Sequence, residues 1–259
     1  MRAGGRTVLR RVRFDGVLRC SRAFDRGGAA LVITSQLGPG VVHGDRLELR
    51  GTLDADARLI VTAQAATRVL GGKRSASSDA RWEVGPGARL QLIGEPLVAS
   101  PDGRYVATQR IALGRGARVL VSDAACGVAS AEVRLRTVID VDGVEALYDA
   151  VDIDRAAPTA FGTLALFGLD RDGVERATAV LDELCTGLLD ARAGVGTYPS
   201  GVLVRIIADS VWPVYDALAR MRTALQTFLL DDSAASDGAR AIHLSNDAPF
   251  SSRYHALKT

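Results

Sequence analysis

Apolar and polar residues alternate along most of residues 7–150, a pattern typical of β-strands with one buried face. Three of the alternating runs are followed by a tight turn and then by a second strand that begins with Ala-Arg. The runs lie at 47–50, 82–84 and 110–113, and the second strands begin at Ala57, Ala88 and Ala117. These alanines are 31 and 29 residues apart, and such a repeat is typical of stacked units that bury one another's apolar faces. The first half of the chain is therefore predicted to be an all-β stack.

The pattern changes after Pro158, where short strands alternate with helices. Short apolar strands are predicted at 161–167, 195–198 and 202–207. Apolar residues recur at helical spacing in 172–192 and 211–229, which predicts two amphipathic helices, the second capped by Asp209 or Ser210. The order β-α-β-β-α favours one sheet with both helices on the same face.

The predicted fold class is thus mainly β, with stacked sheets and two α-helices near the C-terminus. Residues 1–157 are expected to form the repetitive β-strand stack, and 158–230 the β-α-β-β-α portion packed on that stack. Residues 231–259 are polar, and we expect a disordered tail there.

Composition and charge argue against several classes of protein. The 259 residues carry a formal net charge of +2 that is spread along the chain, whereas a nucleic-acid surface needs a clustered basic face. The longest apolar stretch, 161–169, is too short to cross a bilayer, and the basic N-terminal residues lack the apolar core of a secretory signal. The cysteines, Cys20, Cys126 and Cys185, are far apart, so we expect no disulfide framework and a reducing, cytoplasmic location.

The usual motifs of tight metal sites, nucleophiles and phosphate loops are absent from the sequence. It has no Cys-x-x-Cys or His-x-x-x-His spacing, and its histidines are His43, His243 and His255, so a structural zinc site is disfavoured. It has neither a Gly-x-Ser-x-Gly elbow nor a Gly-x-x-x-x-Gly-Lys-Ser/Thr loop. The sequence therefore argues against a serine hydrolase and against a P-loop nucleotide site.

Four carboxylates lie inside or beside apolar β runs, namely Asp45, Asp123, Glu132 and Asp149. A carboxylate that points into the core costs free energy unless it is paired, hydrogen-bonded or hydrated. Each of these side chains could instead point to solvent or cap a turn, which is the commoner arrangement for a single acidic residue. Inward carboxylates along a hydrated passage would suit a borderline divalent cation in transit, because oxygen ligands hold such an ion weakly and release it.

Several segments carry, in order along the chain, the pattern of a known family. The segment 38–47 reads Gly-Pro-Gly-Val-Val-His-Gly-Asp-Arg-Leu, 62–69 reads Thr-Ala-Gln-Ala-Ala-Thr-Arg-Val, and 84–90 reads Val-Gly-Pro-Gly-Ala-Arg-Leu. Further matches are Gly-Thr-Leu at 162–164, Ala-Gly-Val at 193–195 and Val-Leu-Val-Arg at 202–205. Over roughly 28–229 the chain thus resembles the urease accessory protein UreD family, called UreH in some organisms.

The resemblance implies a flattened, two-layer, β-helix-like stack with two helices, and a role in urease maturation without catalysis. A subunit of this family would bind apo-urease and a UreF-like protein, which recruits the nickel-carrying GTPase UreG. Nickel would pass through an internal channel toward the urease active site, so Ni²⁺ is expected in transit and no cofactor is expected to be tightly bound. The resemblance assigns the lining of that channel to Asp45, Thr67, Asp123 and Asp149, with Glu132 as a further candidate. Neither nucleic acid nor membrane is an expected partner.

Two other interpretations stay open at this point. A β-helical carbohydrate-active enzyme or carbohydrate-binding protein would place two carboxylates across a groove lined with aromatic side chains. Only 5% of the residues are aromatic, and none cluster in sequence near Asp45 or Asp123, which counts against this interpretation. A purely structural β scaffold would leave all of the acidic side chains exposed.

Overall fold

The computed structural model describes residues 6–13, 16–127, 131–153, 160–230 and 240–245. Within these residues the chain is mainly β, which confirms the predicted fold class of stacked sheets with helices near the C-terminus. The strands are β1 (Thr7–Arg13), β2 (Leu18–Cys20), β3 (Phe24–Arg26), β4 (Ala29–Gln36), β5 (Arg46–Leu53), β6 (Arg58–Ala63), β7 (Thr67–Val69), β8 (Ala76–Val84), β9 (Arg89–Ile93), β10 (Leu97–Ala99), β11 (Arg104–Leu113), β12 (Arg118–Gly127), β13 (Glu132–Val141), β14 (Val144–Ile153), β15 (Ala160–Phe167), β16 (Arg192–Tyr198), β17 (Gly201–Ala208) and β18 (Arg240–Ser245). The helices are α1 (Arg171–Thr186), α2 (Val211–Ala224) and the short α3 (Gln226–Leu230).

The three sequence repeats form the centre of the stack, as strand-turn-strand units. Their first strands, β5, β8 and β11, pair in parallel in one sheet, and their second strands, β6, β9 and β12, pair in parallel in the other. The repeat sets the register, because Arg58, Arg89 and Arg118 lie side by side on adjacent strands. The alanine before each of these arginines is buried, so each unit adds a small residue at the same level of the stack.

The strands form two sheets that face each other across an apolar interior. The seven-stranded sheet has the order β1-β18-β5-β8-β11-β13-β14. The eleven-stranded sheet contains the path β16-β17-β15-β12-β9-β6-β4-β2, with β3, β7 and β10 joined to it. Strand β15 pairs antiparallel to β12, so the C-terminal strands continue the same sheet.

The prediction of a disordered tail is wrong for Arg240–Ser245. This segment is β18, which lies parallel to β1 and antiparallel to β5. Its Leu244 is buried in the core next to Gly51, whose missing side chain leaves room for the ring of Trp82. Hydrogen bonds to two strands and the burial of Leu244 hold this segment in the sheet. The rest of the expected tail, and the expected boundary at 157, lie outside the described residues.

The helices differ from the prediction at their C-terminal ends. Helix α1 ends at Thr186 instead of near 192, with Gly187 as its C-cap, and β16 begins at Arg192. The segment expected as one helix, 211–229, is divided at Leu225 into α2 and α3. The division lets the carbonyls of Phe228 and Leu229 accept hydrogen bonds from arginines of the repeat, which are Arg118 and Arg89. No helix within the described residues is long and apolar enough to span a membrane.

Three apolar clusters hold these layers together. The larger inter-sheet core contains, among others, Leu53, Trp82, Leu90, Ile111 and Phe167. The smaller inter-sheet core contains, among others, Val69, Ala76, Tyr105, Ala125 and Val133. A third cluster joins α1 and α2 to the outer face of the eleven-stranded sheet. Both faces of that sheet are therefore covered, as is usual for sheets with parallel strands.

Gly168 links β15 to α1 in a conformation that opposes any side chain. Its φ is +89°, and a Cβ would collide with the carbonyl oxygen of Ala117. We expect Gly168→Ala to lower the free energy of unfolding by about 3 kcal/mol, because the left-handed backbone and the collision act together. Urea denaturation followed by circular dichroism measures this loss.

Gly116→Ala is the matched control for Gly168→Ala. Gly116 has a φ of +66°, but no atom lies within 4 Å of the position that its Cβ would take. This control should cost only about 1 kcal/mol, the penalty of the left-handed backbone alone. An equal loss in both variants would show that the collision with Ala117 is relieved at no cost.

Candidate functional site in the interior between the sheets

A layer of polar side chains crosses the interior between the two sheets. In the seven-stranded sheet, three of its members lie side by side on β11, β13 and β14, namely Gln109, Thr137 and Asp149. In the eleven-stranded sheet, the other three lie side by side on β12, β15 and β17, namely Asp123, Thr163 and Arg205. These six residues are called the polar layer below.

The polar layer faces inward because residues two positions away on each strand point to the same side. In the seven-stranded sheet these neighbours belong to the larger inter-sheet core and are Ile111, Ile139 and Leu147. In the eleven-stranded sheet the corresponding neighbours in that core are Val121, Ala165 and Leu203. Beyond Asp123 in the other direction, Ala125 belongs to the smaller inter-sheet core. The polar layer therefore separates two apolar cores.

Asp123 is deeply surrounded by protein and yet keeps accessible surface. It is partly exposed, while Val121 and Ala125 on the same face of β12 are each 1% exposed. A side chain at such depth retains accessible surface only where a water-sized space adjoins it. Gly94, which follows the neighbouring β9, makes room for the carboxylate, because a Cβ there would collide with Oδ1 of Asp123. The interior thus contains a small space at Asp123 that a water molecule can enter.

The electrostatics of Asp123 follow from this position. Burial raises the pKa of Asp123 to about 6, compared with about 3.9 for an unperturbed aspartate. Among the described residues, none forms a hydrogen bond or an ion pair with its carboxylate. The pKa of Tyr105 is raised mainly by burial and in addition by the charge of Asp123. The carboxylate of Asp123 therefore acts electrostatically on a side chain of the opposite sheet. An unpaired carboxylate that is ionised near neutral pH is an available oxygen ligand for a cation.

Gln109 gives a second sign that the polar layer is hydrated. Its Nε2 is buried and has no hydrogen-bond partner among the described residues. A buried amide donor without an acceptor is costly, and native proteins usually satisfy such a group with water or another ligand. The amide of Gln109 is therefore a donor available to water inside the polar layer.

Arg205 joins the two sheets at the end of the polar layer. Its guanidinium forms an ion pair with Asp149 of the opposite sheet. The same guanidinium donates to Oγ1 of Thr163 at 2.6 Å and lies 5.0 Å from the ring centre of Phe161. Burial lowers the pKa of Arg205, but a guanidinium remains charged at neutral pH. Asp149, unlike Asp123, is thus already neutralised by a fixed positive charge.

A cavity of about 440 Å³ opens near the other end of the stack. Its lining includes Thr34, Ala63 and Thr67 of the eleven-stranded sheet and Leu47 and Tyr105 of the seven-stranded sheet. Because both sheets contribute, the cavity enters the space between them. Tyr105 lies on β11, the strand that also carries Gln109 of the polar layer.

The five side chains predicted from the sequence occupy different places. Asp123 and Asp149 both lie in the polar layer, and Thr67 lines the cavity. Asp45 lies in the turn before β5, where Oδ2 accepts a hydrogen bond of 3.0 Å from the backbone N–H of Val42. Glu132 precedes the inward-facing Val133 and therefore points to the outer face of its sheet. The assignment of these five residues to a nickel channel stays a prediction.

Glu132 also has a cationic neighbour on that outer face. Its Oε2 lies 3.8 Å from Nε of Arg104, in a partly exposed pair. Such exposed pairs contribute little to stability. The arrangement of Glu132 is thus the common one of a solvated, paired surface acid.

Sequence reasoning missed four members of the polar layer, which are Gln109, Thr137, Thr163 and Arg205. One signal was present in the sequence for Arg205, because it is the only charged residue in the apolar strand β17. Thr163 is likewise the only polar residue of β15, whereas Gln109 and Thr137 carry no comparable signal, because their strands contain other polar residues. Only the strand register shows which of those side chains face Asp123.

The described part of the chain contains no cluster of the usual metal ligands. No group of three or more His, Cys, Asp or Glu side chains is arranged there to hold a metal ion. The side chain of His243 and the whole of His255 lie outside the described residues. Cys20, Cys126 and Cys185 are all partly exposed free thiols.

The fold and the polar layer together define a structural class, a two-sheet β stack with a polar layer in its interior and helices on one outer face. The family model described as UreD urease accessory protein matches residues 1–239. The chain therefore belongs to the UreD family of urease accessory proteins, as its sequence resemblance predicted.

Individual relatives carry the same family name. The chain is 29% identical over 219 residues to the urease accessory protein UreD of Haloarcula marismortui, covering 76% of this chain and 73% of that protein. It is 26% identical over 258 residues to the UreD protein of Cereibacter sphaeroides, covering 87% and 92%. It is 35% identical over 130 residues to UreD 2 of a Bradyrhizobium strain, covering about half of each chain, at 48% and 46%.

Proposed function

We propose that this chain acts in urease maturation as a non-catalytic scaffold that passes nickel toward the urease active site. Family membership supports the role in urease maturation. The observation that carries the nickel step is the unpaired Asp123 carboxylate in a hydrated interior space. A lining of carboxylate, hydroxyl and amide oxygens would bind Ni²⁺ weakly enough to release it, because thiolate and imidazole ligands hold this ion more firmly.

The proposed partners follow from the family resemblance. They are apo-urease, a UreF-like accessory protein and, through it, a UreG-like GTPase that brings the nickel. The proposed place of action is the cytoplasm, with which three free cysteines are compatible. Nickel would enter and leave through openings of the space between the sheets, of which the cavity at Thr67 and Tyr105 is one candidate.

The carbohydrate-active alternative has less support. A glycoside hydrolase needs two carboxyl groups that flank a bound sugar in an accessible site. Here Asp149 is buried and engaged by Arg205, and Asp123 lies between the two sheets. The polar layer thus suits a small ion better than a saccharide.

Deletion of the gene in its native host tests the proposed function. We expect loss of urease activity with an unchanged amount of urease protein, because the apo-enzyme would lack its nickel. The wild-type gene on a plasmid should restore activity. Unchanged urease activity in the deletion strain would remove the maturation role in that host, and loss of the urease protein itself would point to an effect on expression.

A further inference from the structure

Arg205 is placed where the polar layer ends. Strand β14, which carries Asp149, is the edge of the seven-stranded sheet, and only β16 lies beyond β17 in the eleven-stranded sheet. The residue of β16 in register with Arg205 is Gly194, and no atom of a described residue lies within 4 Å of the position that its Cβ would take. Among the described residues the space beyond Arg205 is therefore open, and the guanidinium is the side chain that lies at this end.

The contacts of Arg205 differ in strength and in direction. The ion pair with Asp149 reaches across to the opposite sheet, whereas Thr163 and Phe161 lie on the neighbouring strand of the same sheet as Arg205. The side chain of Arg205 is 29% exposed and that of Asp149 is 11% exposed. If the guanidinium leaves Asp149, the hydroxyl of Thr163, the ring of Phe161 and solvent can still stabilise its charge. The guanidinium thus has partners on both sheets, Asp149 on the opposite sheet and Thr163 and Phe161 on its own sheet.

A fixed positive charge in this place opposes a divalent cation. Two positive charges a few ångströms apart repel each other strongly in a partly buried site. Ni²⁺ and the guanidinium therefore exclude each other from the carboxylate of Asp149. The carboxylate of Asp149 can bind the ion only after it has lost Arg205. Asp123 has no such competitor among the described residues.

We propose that Arg205 is the gate of the passage: its ion pair with Asp149 closes the end of the polar layer, and an arriving Ni²⁺ opens that end by taking the place of the guanidinium on Asp149. This inference rests on the proposed passage of nickel and adds a residue that controls it. With this gate, an ion leaves at the β14–β17 end only by displacing the guanidinium of Arg205 from Asp149. No covalent bond forms or breaks in this exchange.

Binding of Ni²⁺ alone to the purified full chain tests the gate, by competition with a metallochromic indicator at fixed ionic strength. Arg205→Met leaves Asp123 and Asp149 both free, so we expect it to bind Ni²⁺ about tenfold more tightly than the wild type. Asp149→Asn leaves the guanidinium uncompensated, so we expect about tenfold weaker binding. The double variant carries neither charge and should bind within about threefold of the wild type.

Each comparison has a result that overturns the proposal. Equal affinities of folded Arg205→Met and wild type would show that the guanidinium does not compete with the ion. Removing one partner of a buried ion pair can prevent folding. If circular dichroism shows that Arg205→Met is unfolded, the comparison of Asp149→Asn with the double variant isolates the arginine charge, and equal affinities there would also overturn the gate.

The gate and the proposed function fail separately. If the wild-type gene does not restore urease activity in the deletion strain, the maturation role fails whatever the variants bind. If the wild-type gene restores activity and the affinities do not follow the expected order, the gate fails while the maturation role stands. In that host, Arg205→Met should lower urease activation, because an ion held by two carboxylates leaves more slowly.

Discussion

Asp123→Asn should reduce urease activation in the native host by roughly tenfold or more, the size of effect seen when a group that tunes metal affinity is lost. The substitution keeps the shape of the side chain and removes the negative charge from the interior space. Neutral amide oxygen attracts Ni²⁺ much less than a carboxylate does. Because Asp123 makes no hydrogen bond or ion pair with a described residue, no partner is left unsatisfied by the change.

The same substitution should stabilise the fold at neutral pH, and the direction follows from the pKa. The folded-state pKa of Asp123 is about 6, above the value of about 3.9 expected in the unfolded chain. The folded state therefore holds its proton more firmly, so Asp123 lowers the stability progressively as the pH rises from about 4 to about 6. Above that range the full cost, about 3 kcal/mol, is present, and below it the cost vanishes.

Two measurements check these expectations for Asp123→Asn. Urease activity per amount of urease protein, in the deletion strain carrying the variant gene, gives the loss of activation. Urea denaturation at pH 8 and at pH 4 should show a gain over the wild type of about 3 kcal/mol at the higher pH and almost no gain at the lower pH. The same gain in stability over the wild type at both pH values would contradict the buried charge. Full urease activation by the variant would contradict the role of that charge.

Asp152→Asn is the matched control for this change. Asp152 lies on β14 of the opposite sheet and pairs with Arg136 at 2.8 Å, and its side chain is 59% exposed. An exposed ion pair contributes little, so this control should keep its urease activation and most of its stability. A similar loss of activation in both variants would indicate a general effect of negative charge instead of a specific one at Asp123.

Gly94→Leu is expected to block the interior space and to lower urease activation by roughly tenfold or more, as displacement of a metal-tuning group does. A Cβ at Gly94 would already collide with Oδ1 of Asp123, and the longer leucine side chain would fill the space beside it. Insertion of extra methylene groups into a packed interior costs about 1–3 kcal/mol. The chain should therefore remain folded but less stable, with its internal passage closed.

Gly196→Leu separates closure of the passage from the general cost of leucine in a strand. Gly196 lies on β16, and the nearest atoms to its expected Cβ, in Leu203 and Tyr198, are 3.8 Å away. This control should fold and should keep urease activation close to the wild-type level. Activity assays in the deletion strain, together with thermal unfolding of both purified variants, make the comparison. Full activation by a folded Gly94→Leu chain would rule out an ion path past Asp123.

The polar layer could be predicted from the sequence only in part. Asp123 and Asp149 were singled out because each interrupts an apolar β run, and both lie in the polar layer. The same reasoning singled out Asp45 and Glu132, which the structure places in a turn and on an outer face. Alternation along one strand shows that a side chain has one of two directions, and it does not show which direction is inward.

The sequence by itself determined the repeat and therefore the stack. Strand-turn-strand units at nearly constant spacing bury their apolar faces only on copies of themselves, so Ala57, Ala88 and Ala117 at equivalent buried positions follow from local pattern alone. Helical periodicity determined α1 and α2 in the same way, because a single amphipathic stripe must face a sheet.

Only the tertiary structure decided the contents of the interior. The partnership of Arg205 with Asp149 joins strands that are 56 residues apart, and the space at Asp123 depends on a glycine of another repeat. Strand β18 entered the seven-stranded sheet, although its composition resembles the polar tail around it, because two strands with free hydrogen-bonding edges lay beside it. Such contacts depend on which strands become neighbours, and that is fixed by the packing of the whole chain.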